Sequence, residues 1–220
     1  MSPSRLAAIT AVLVLPALAL AEPPPGWKMQ HPDKGKWVVG TAEVDPKSPN
    51  KLVVKEGGSD VINVQPASNL VSDEKYGDCT VEVEFLIPKG SNSGVYLMGR
   101  YEVQVFDSFG KKKPTKADLG GIYNTSDPIA GNYEPKAPGE WQTLDIVFRA
   151  PRFDATGKKT ADAHFTSVKL NGKEIQKDVD APKPTGSELS PKEVPTGPIM
   201  LQGDHGPVAF RNLRIKETGK

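Results

Sequence analysis

The sequence predicts an all-β fold, one domain of two antiparallel sheets packed face to face. Two observations carry this reading. Short β-branched runs recur along the chain, separated by turn residues, which is the pattern of a sandwich or barrel. The 21 prolines and 21 glycines are spread throughout, and no stretch of the mature chain shows an amphipathic helical period.

The first element is a leader. Arg5 gives it a positive start, "LAAITAVLVLPALALA" an apolar core interrupted by Pro16, and Ala19-Leu20-Ala21 a small-residue cleavage signal. The apolar run is shorter than the ~20 residues that a spanning helix needs. Residues 1–21 are therefore expected to direct export and to be removed after Ala21. The product would be periplasmic or secreted, with no membrane attachment once the signal is gone. "EPPPG" opens a Pro-rich lead-in over residues 22–27, and a single domain is expected over residues 28–218.

The strand candidates follow in order: "KWVVG", "NKLVVKE", "DVINV", "CTVEVEFLI", "SGVYLM", "YEVQVFD", "WQTLDIVFRA", "FTSVKL", "KEIQKDV", "PIMLQ" and "AFRNLRI". Asn171-Gly172 in "VKLNGKEI" is a type I′ hairpin signal, because both positions tolerate positive φ. Three breaker-rich loops are long for a compact β domain: residues 109–120, 124–139 and 181–197. The sole cysteine, Cys79, starts a strand and is expected inside the fold, with no positive, partly open setting to activate it.

Alternation assigns faces. Val81, Val83, Phe85 and Ile87 point inward, as do Val103 and Val105, Leu144, Ile146 and Phe148, and Ile199 and Leu201. The opposite rows hold Glu82, Glu84 and Leu86; Glu102, Gln104 and Phe106; Trp141, Asp145 and Arg149; and Met200, Gln202 and Asp204. These rows are either the wet faces of an ordinary sandwich or, taken together, the lining of one sugar-binding surface. Carboxylates and carboxamides pair with hydroxyls, and an aromatic ring covers C–H faces.

Several chemistries are excluded or weakened. The chain has 28 basic and 27 acidic residues. Loss of Arg5 with the leader balances them, and no basic stripe suits a nucleic acid. No zinc-ligand spacing, serine elbow or phosphate-cradling glycine motif occurs. Glu82, Glu84 and Glu102 raise the possibility of paired-carboxylate glycoside hydrolysis, but the strand motif E-x-D-x-x-E of laminarinase-type glucanases is absent. His31 and His164 look like surface residues. His205 in "LQGDHGP" follows a strand, where a loop either presents an imidazole or is capped by it.

"NSGVYLMGRYEVQVFDS", "GGIYN", "PGEWQTLDIVFRAPRFD", "VKLNG" and "GPIMLQGDHGPVAFRNLRI" occur in that order between Asp78 and Glu217. In these motifs the chain resembles the 3-keto-disaccharide hydrolase domain family. The resemblance implies a jelly-roll sandwich like that of concanavalin A-type lectins and glucanases, and exported bacterial proteins acting on glycosides oxidised at C3. A C3 ketone acidifies the C2 proton. A base can then remove it, the C1 substituent leaves by elimination, and water adds. A divalent cation across the 2-hydroxyl and 3-keto oxygens is a possible cofactor for such chemistry.

Carried over motif by motif, the resemblance implies Glu102 or His205 as the base and Arg100 as oxyanion stabiliser. Gln104, Tyr123 and Asp204 become positioning groups, and Asp107 and Gln202 match further conserved-looking motif positions. Glu84 and Trp141 complete the expected sugar-binding set. Met98 stands where many relatives carry a polar or basic residue. Two readings stay open: cleavage of 3-keto-glycosides, or noncatalytic, lectin-like binding of a carbohydrate.

Overall fold

The computed structural model describes residues 23–218; the expected leader, residues 1–21, lies outside them. In chain order the strands are β1 (Trp27–Met29), β2 (Val38–Asp45), β3 (Ser48–Asn63), β4 (Leu70–Ser72), β5 (Cys79–Leu86), β6 (Asn92–Leu97) and β7 (Tyr101–Phe106). There follow β8 (Gln142–Arg149), β9 (Arg152–Phe153), β10 (Lys159–Ala161), β11 (Ala163–Leu170), β12 (Lys173–Ala181), β13 (Met200–Leu201) and β14 (Val208–Glu217). Among the described residues no helix is long and apolar enough to cross a membrane.

Two antiparallel sheets account for twelve of these strands. One has the order β1-β4-β13-β6-β7 and the other β12-β11-β8-β5-β14-β3-β2, while β9 and β10 form a small separate ribbon. The predicted two-sheet jelly-roll sandwich is therefore the fold. Alternation explains how the sheets meet. Val95, Leu97, Tyr101, Val103, Val105 and Leu201 of the five-stranded sheet share one core cluster with Val81, Val83, Phe85, Leu144, Ile146 and Phe148 of the seven-stranded sheet. Tyr101 and Phe148 touch across the interface with ring centroids 5.5 Å apart, and Phe165 meets Phe148 edge-on at 5.1 Å. Each fully buried side chain of this size contributes about 1.5–3 kcal/mol.

Local expectations largely hold. Asn171 and Gly172 have φ of 52° and 81° and join β11 to β12. Cys79 is buried at the first position of β5, and burial pushes its thiol up to about 12. "NKLVVKE" and "DVINV" are one strand instead of two. Pairing jumps from Gly40–Asp60 to Thr41–Lys55, so residues 56–59 bulge out of β3. The Asp60 carboxylate accepts the Ala42 N–H at 2.8 Å and closes that gap in the ladder.

Two segments between strands protect the β7 edge. Residues 120–123 pair beside β7 through Gly120 N–H to Gln104 O, Gln104 N–H to Gly121 O and Tyr123 N–H to Glu102 O, at 2.7, 2.9 and 3.1 Å. Residues 182–199 form a strap over the β6–β7 turn. Thr185 N–H reaches Arg100 O at 3.0 Å, and Leu189 N–H reaches Gly99 O at 2.9 Å. An edge covered in this way does not recruit another strand.

Candidate functional site

Register places the site on the outer face of the five-stranded sheet. Met200 pairs with Tyr96, Tyr96 with Glu102, and Glu102 accepts from the N–H of Tyr123. The next row runs from Gln202, whose N–H bonds Gly94 O at 2.9 Å, to Gly94 and then Gln104. These residues alternate with the core-facing Val95, Tyr101, Val103 and Leu201, so they point away from the second sheet.

Glu102 is the centre of this face. It is only 2 % exposed, and its Oε2 accepts the Tyr96 phenol at 2.8 Å. Burial raises its carboxyl pKa to about 7; the Tyr96 hydrogen bond opposes that rise and the Asp204 charge adds to it. Tyr96 is itself fully buried, and burial followed by the charge of Glu102 pushes its phenol well upward. On the neighbouring row Gln104 and Gln202 are each 4 % exposed, and the Oε1 atom of each is buried without a hydrogen-bond partner. The Oδ1 atom of Asn92, two residues before Gly94 on β6, is in the same condition. Orphaned acceptors of this kind are costly unless a ligand or water satisfies them.

Asp204 and His205 sit at the rim, on the turn that follows β13. Asn63 holds that turn by donating to Gly203 O and Gly206 O at 2.7 and 3.1 Å, and Gly203 N–H donates to Asn69 Oδ1 at 2.9 Å. Ser91 Oγ donates to Pro207 O at 2.5 Å. A side chain on Gly206 would strike Ser91 Oγ at 2.6 Å, which explains the glycine after His205. His205 Nδ1 lies 2.6 Å from Asp204 Oδ1, and both side chains are exposed. Asp204 thus orients an imidazole whose Nε2 is the nitrogen left for a ligand.

The structure brings Glu102, Gln104, Tyr123 and Gln202 to one face, with Asp204 near enough for its charge to act on Glu102 and His205 joined to it through Asp204, and separates the other candidates from them. Glu84 and Trp141 lie on the outer face of the seven-stranded sheet, on the far side of the sandwich. There Glu84 accepts from Arg211 Nε at 2.7 Å and Asn212 Nδ2 at 2.6 Å, and the Arg211 guanidinium lies 3.9 Å from the Trp141 ring centre. The expected single surface of outward rows is therefore two surfaces. Arg100 donates from Nε to Lys192 O at 2.8 Å and from Nη1 to Met98 O at 2.7 Å. It anchors the strap and is not among the groups acting on Glu102. Asp107 caps a turn, accepting the Gly90 N–H at 2.8 Å and the Phe109 N–H at 3.3 Å.

Met98 turns into the core, 1 % exposed, with a φ of 56° at the β6–β7 turn. The residue that departs from the family pattern therefore does not line this face. Met200, expected on an outward row, is buried under the strap with Val71, Tyr96 and Leu189.

Three contributors carried no signal strong enough to single them out: Tyr96, Gly94 and Thr185. Tyr96 alternates correctly with Val95 and Leu97, so register with Glu102 was the missing information. Thr185 Oγ1 accepts the Glu102 N–H at 3.0 Å from 83 residues away. Among the described residues no group of three or more His, Cys, Asp and Glu side chains could hold a metal ion. A cavity of about 370 Å³, lined by Trp27, Val61, Tyr76, Phe210 and Ile215 among others, opens elsewhere, where β1 and β4 face β3 and β14. It contains none of the groups just described.

Comparison with known families decides the kinship of the chain. The family described as 3-keto-alpha-glucoside-1,2-lyase-like domain matches residues 24–216. The chain belongs to that family. It is thus a carbohydrate-active protein, and its described residues are almost wholly the family domain. Among solved structures it is similar to a candidate glycosyl hydrolase from Parabacteroides distasonis ATCC 8503, with 28% identity, 74% of each chain covered and a TM-score of 0.62. Two further candidate glycosyl hydrolases of that organism share the fold. One has 15% identity, a TM-score of 0.55 and coverage of 88% of this chain and 89% of its own. The other has 23% identity, a TM-score of 0.52 and coverage of 87% and 99%. No curated protein matches the chain.

Proposed function

We propose that this family member cleaves glycosides carrying a ketone at C3, by elimination across C1–C2 followed by hydration. The observation that carries the reading is Glu102: a covered carboxylate, poised near neutrality, beside two carboxamides with orphaned oxygens on one face of the sheet. A general base works best when its pKa lies near the operating pH. Glu102 takes the C2 proton, and the electron pair forms the enolate at C3. Gln104 and Gln202 bind the ring hydroxyls and offer N–H donors to the enolate oxygen. The C1–O bond then breaks, with His205, oriented by Asp204, protonating the leaving oxygen. Water adds to the resulting enone at C1.

Glu102 is too covered to meet a sugar while the strap is in place. Leu189 packs with Tyr96, and Thr185 bonds the Glu102 backbone, so substrate entry requires that segment to shift. The test is product release from a 3-keto-glucoside by wild type, Glu102→Gln and His205→Ala, with and without chelator. Loss of turnover in both variants is expected. Saturable binding of the glycoside without turnover by the wild type would replace this reading with the lectin-like one. We also propose export, with removal of residues 1–21; N-terminal sequencing of the secreted or periplasmic product should begin at Glu22.

A further inference from the structure

Gly94 and Tyr96 alternate on the same face of β6, and Glu102 touches both. Tyr96 is the Cα partner of Glu102 in the β6–β7 pairing, and its phenol donates to Oε2 at 2.8 Å. At Gly94 an added Cβ would lie 2.3 Å from Glu102 Oε1 and 3.0 Å from both Cδ and Cγ. Gly94 is not among the glycines with positive φ, so the backbone itself accepts any L-residue there. The glycine is required by the Glu102 side chain that rests on it. Gly94 in turn sits between Gln104, its Cα partner, and Gln202, whose N–H bonds its carbonyl.

We propose that Tyr96 and Gly94 together determine which oxygen of Glu102 takes the substrate proton. The phenol occupies Oε2, and the bare backbone at Gly94 gives Oε1 its place between Gln104 and Gln202. Tyr96 is fully buried and does not touch substrate; it is a positioning residue that acts through Glu102, as is Gly94. The proposal rests on the reading of Glu102 as the base.

The surroundings allow the phenol a large influence. With donor and acceptor both enclosed, water does not replace a lost hydrogen bond. The titratable groups around Glu102 are Tyr96 on β6, Asp204 beyond β13 and Tyr123 on the segment paired with β7. The strap's Glu188 and Glu193 act on Arg100, whose guanidinium is tied to main-chain carbonyls. His205, the titratable neighbour of Asp204, bonds that carboxylate and is not among the groups acting on Glu102, so no cation there takes over from the phenol. Its hydrogen bond favours the carboxylate, so its removal shifts Glu102 further toward the protonated form.

The experiment is a ¹³C NMR titration of the Glu102 carboxyl in wild type, Tyr96→Phe and Gly94→Ala, alongside kcat and KM for a 3-keto-glucoside. Tyr96→Phe should raise the carboxyl midpoint by about one pH unit and move the acid limb of kcat with it. Gly94→Ala should displace the carboxylate, because the far end of a side chain yields more readily than the sheet. Its kcat should fall roughly tenfold or more from misplacement of the reacting oxygen, with little change in KM or Tm. An unmoved carboxyl titration in Tyr96→Phe, or full turnover by Gly94→Ala, overturns the positioning pair while Glu102→Gln remains inactive. Full turnover by Glu102→Gln instead overturns the reading of Glu102 as base, whatever the titration shows.

Discussion

Glu102 and Tyr96 face one another from adjacent strands, joined by a 2.8 Å hydrogen bond, with neither side chain more than 2 % exposed. A carboxylate enclosed this way is far from its ordinary titration range. Its neighbours and its pH behaviour are the most direct handles on the molecule.

Folding stability should fall as pH rises through the interval that Glu102 controls. The Glu102 carboxyl ionises near its ordinary value of 4.5 in the unfolded chain, and only near about 7 in the folded one. Between these values the native state holds the extra proton, so stability is fully present below the lower value and is lost as pH rises through the upper one. The contribution is roughly 3 kcal/mol across that window. Urea unfolding at pH 5 and pH 8 measures it, and Glu102→Gln should flatten the difference.

Activity should move in the opposite direction. A base must be ionised to accept a proton, so kcat/KM is expected to rise about tenfold per pH unit up to about 7. A profile flat from pH 5 to 8 would remove Glu102 from the proton-transfer role.

Substrate binding should respond to one face of the sandwich only. Gln104→Ala and Gln202→Ala each remove a buried carboxamide beside Glu102 and should raise KM or lower kcat by about tenfold. Trp141→Ala and Glu84→Ala act on the opposite sheet and should leave both constants within about twofold. Isothermal titration with a nonreactive glycoside separates the two faces directly.

Thr185 holds the strap to β7. Its hydroxyl accepts the Glu102 N–H at 3.0 Å and donates to Arg100 O at 3.2 Å. Thr185→Val keeps the shape and orphans a buried N–H, at a cost of about 1–3 kcal/mol. Faster amide exchange at Glu102 and along the strap is the expected signature, with the β5–β8 pairing unchanged.

Asn171 holds φ of 52° in the β11–β12 hairpin, and its carboxamide accepts the Thr143 N–H at 3.0 Å. Asn171→Ala should cost about 1–2 kcal/mol by combining left-handed strain with a lost hydrogen bond. Thermal unfolding measures this, and turnover per folded molecule should not change.

Much of this molecule was readable in its strand patterns. The rows Val81-Val83-Phe85 and Leu144-Ile146-Phe148 lie in the core as their alternation required, and Asn171-Gly172 turns where its φ tolerance placed it. Glu102 and Gln104 face away from that core, again as alternation required, but they are buried and not wet. The strap bonds the Glu102 backbone through Thr185 and packs Leu189 with Tyr96, while residues 120–123 close the β7 edge, and no local pattern places either segment there. Glu84 and Trp141 also face outward, as alternation required. Outward on the seven-stranded sheet is simply the far side of the molecule from outward on the five-stranded one.

The sequence by itself determined the side that residues occupy along the regular strand runs, because period-two alternation is a property of the extended backbone and fails only at bulges. It also determined the turns whose φ only certain residues tolerate, and the motifs that mark the family. The tertiary structure alone decided which outward rows share a face, since that depends on which strands are hydrogen-bonded neighbours. It alone set Tyr96 on Glu102, laid the carboxylate over Gly94 and tied Arg100 into the strap. Those contacts join segments through strand pairing and loop closure, and the chemistry of Glu102 follows from the desolvation they impose.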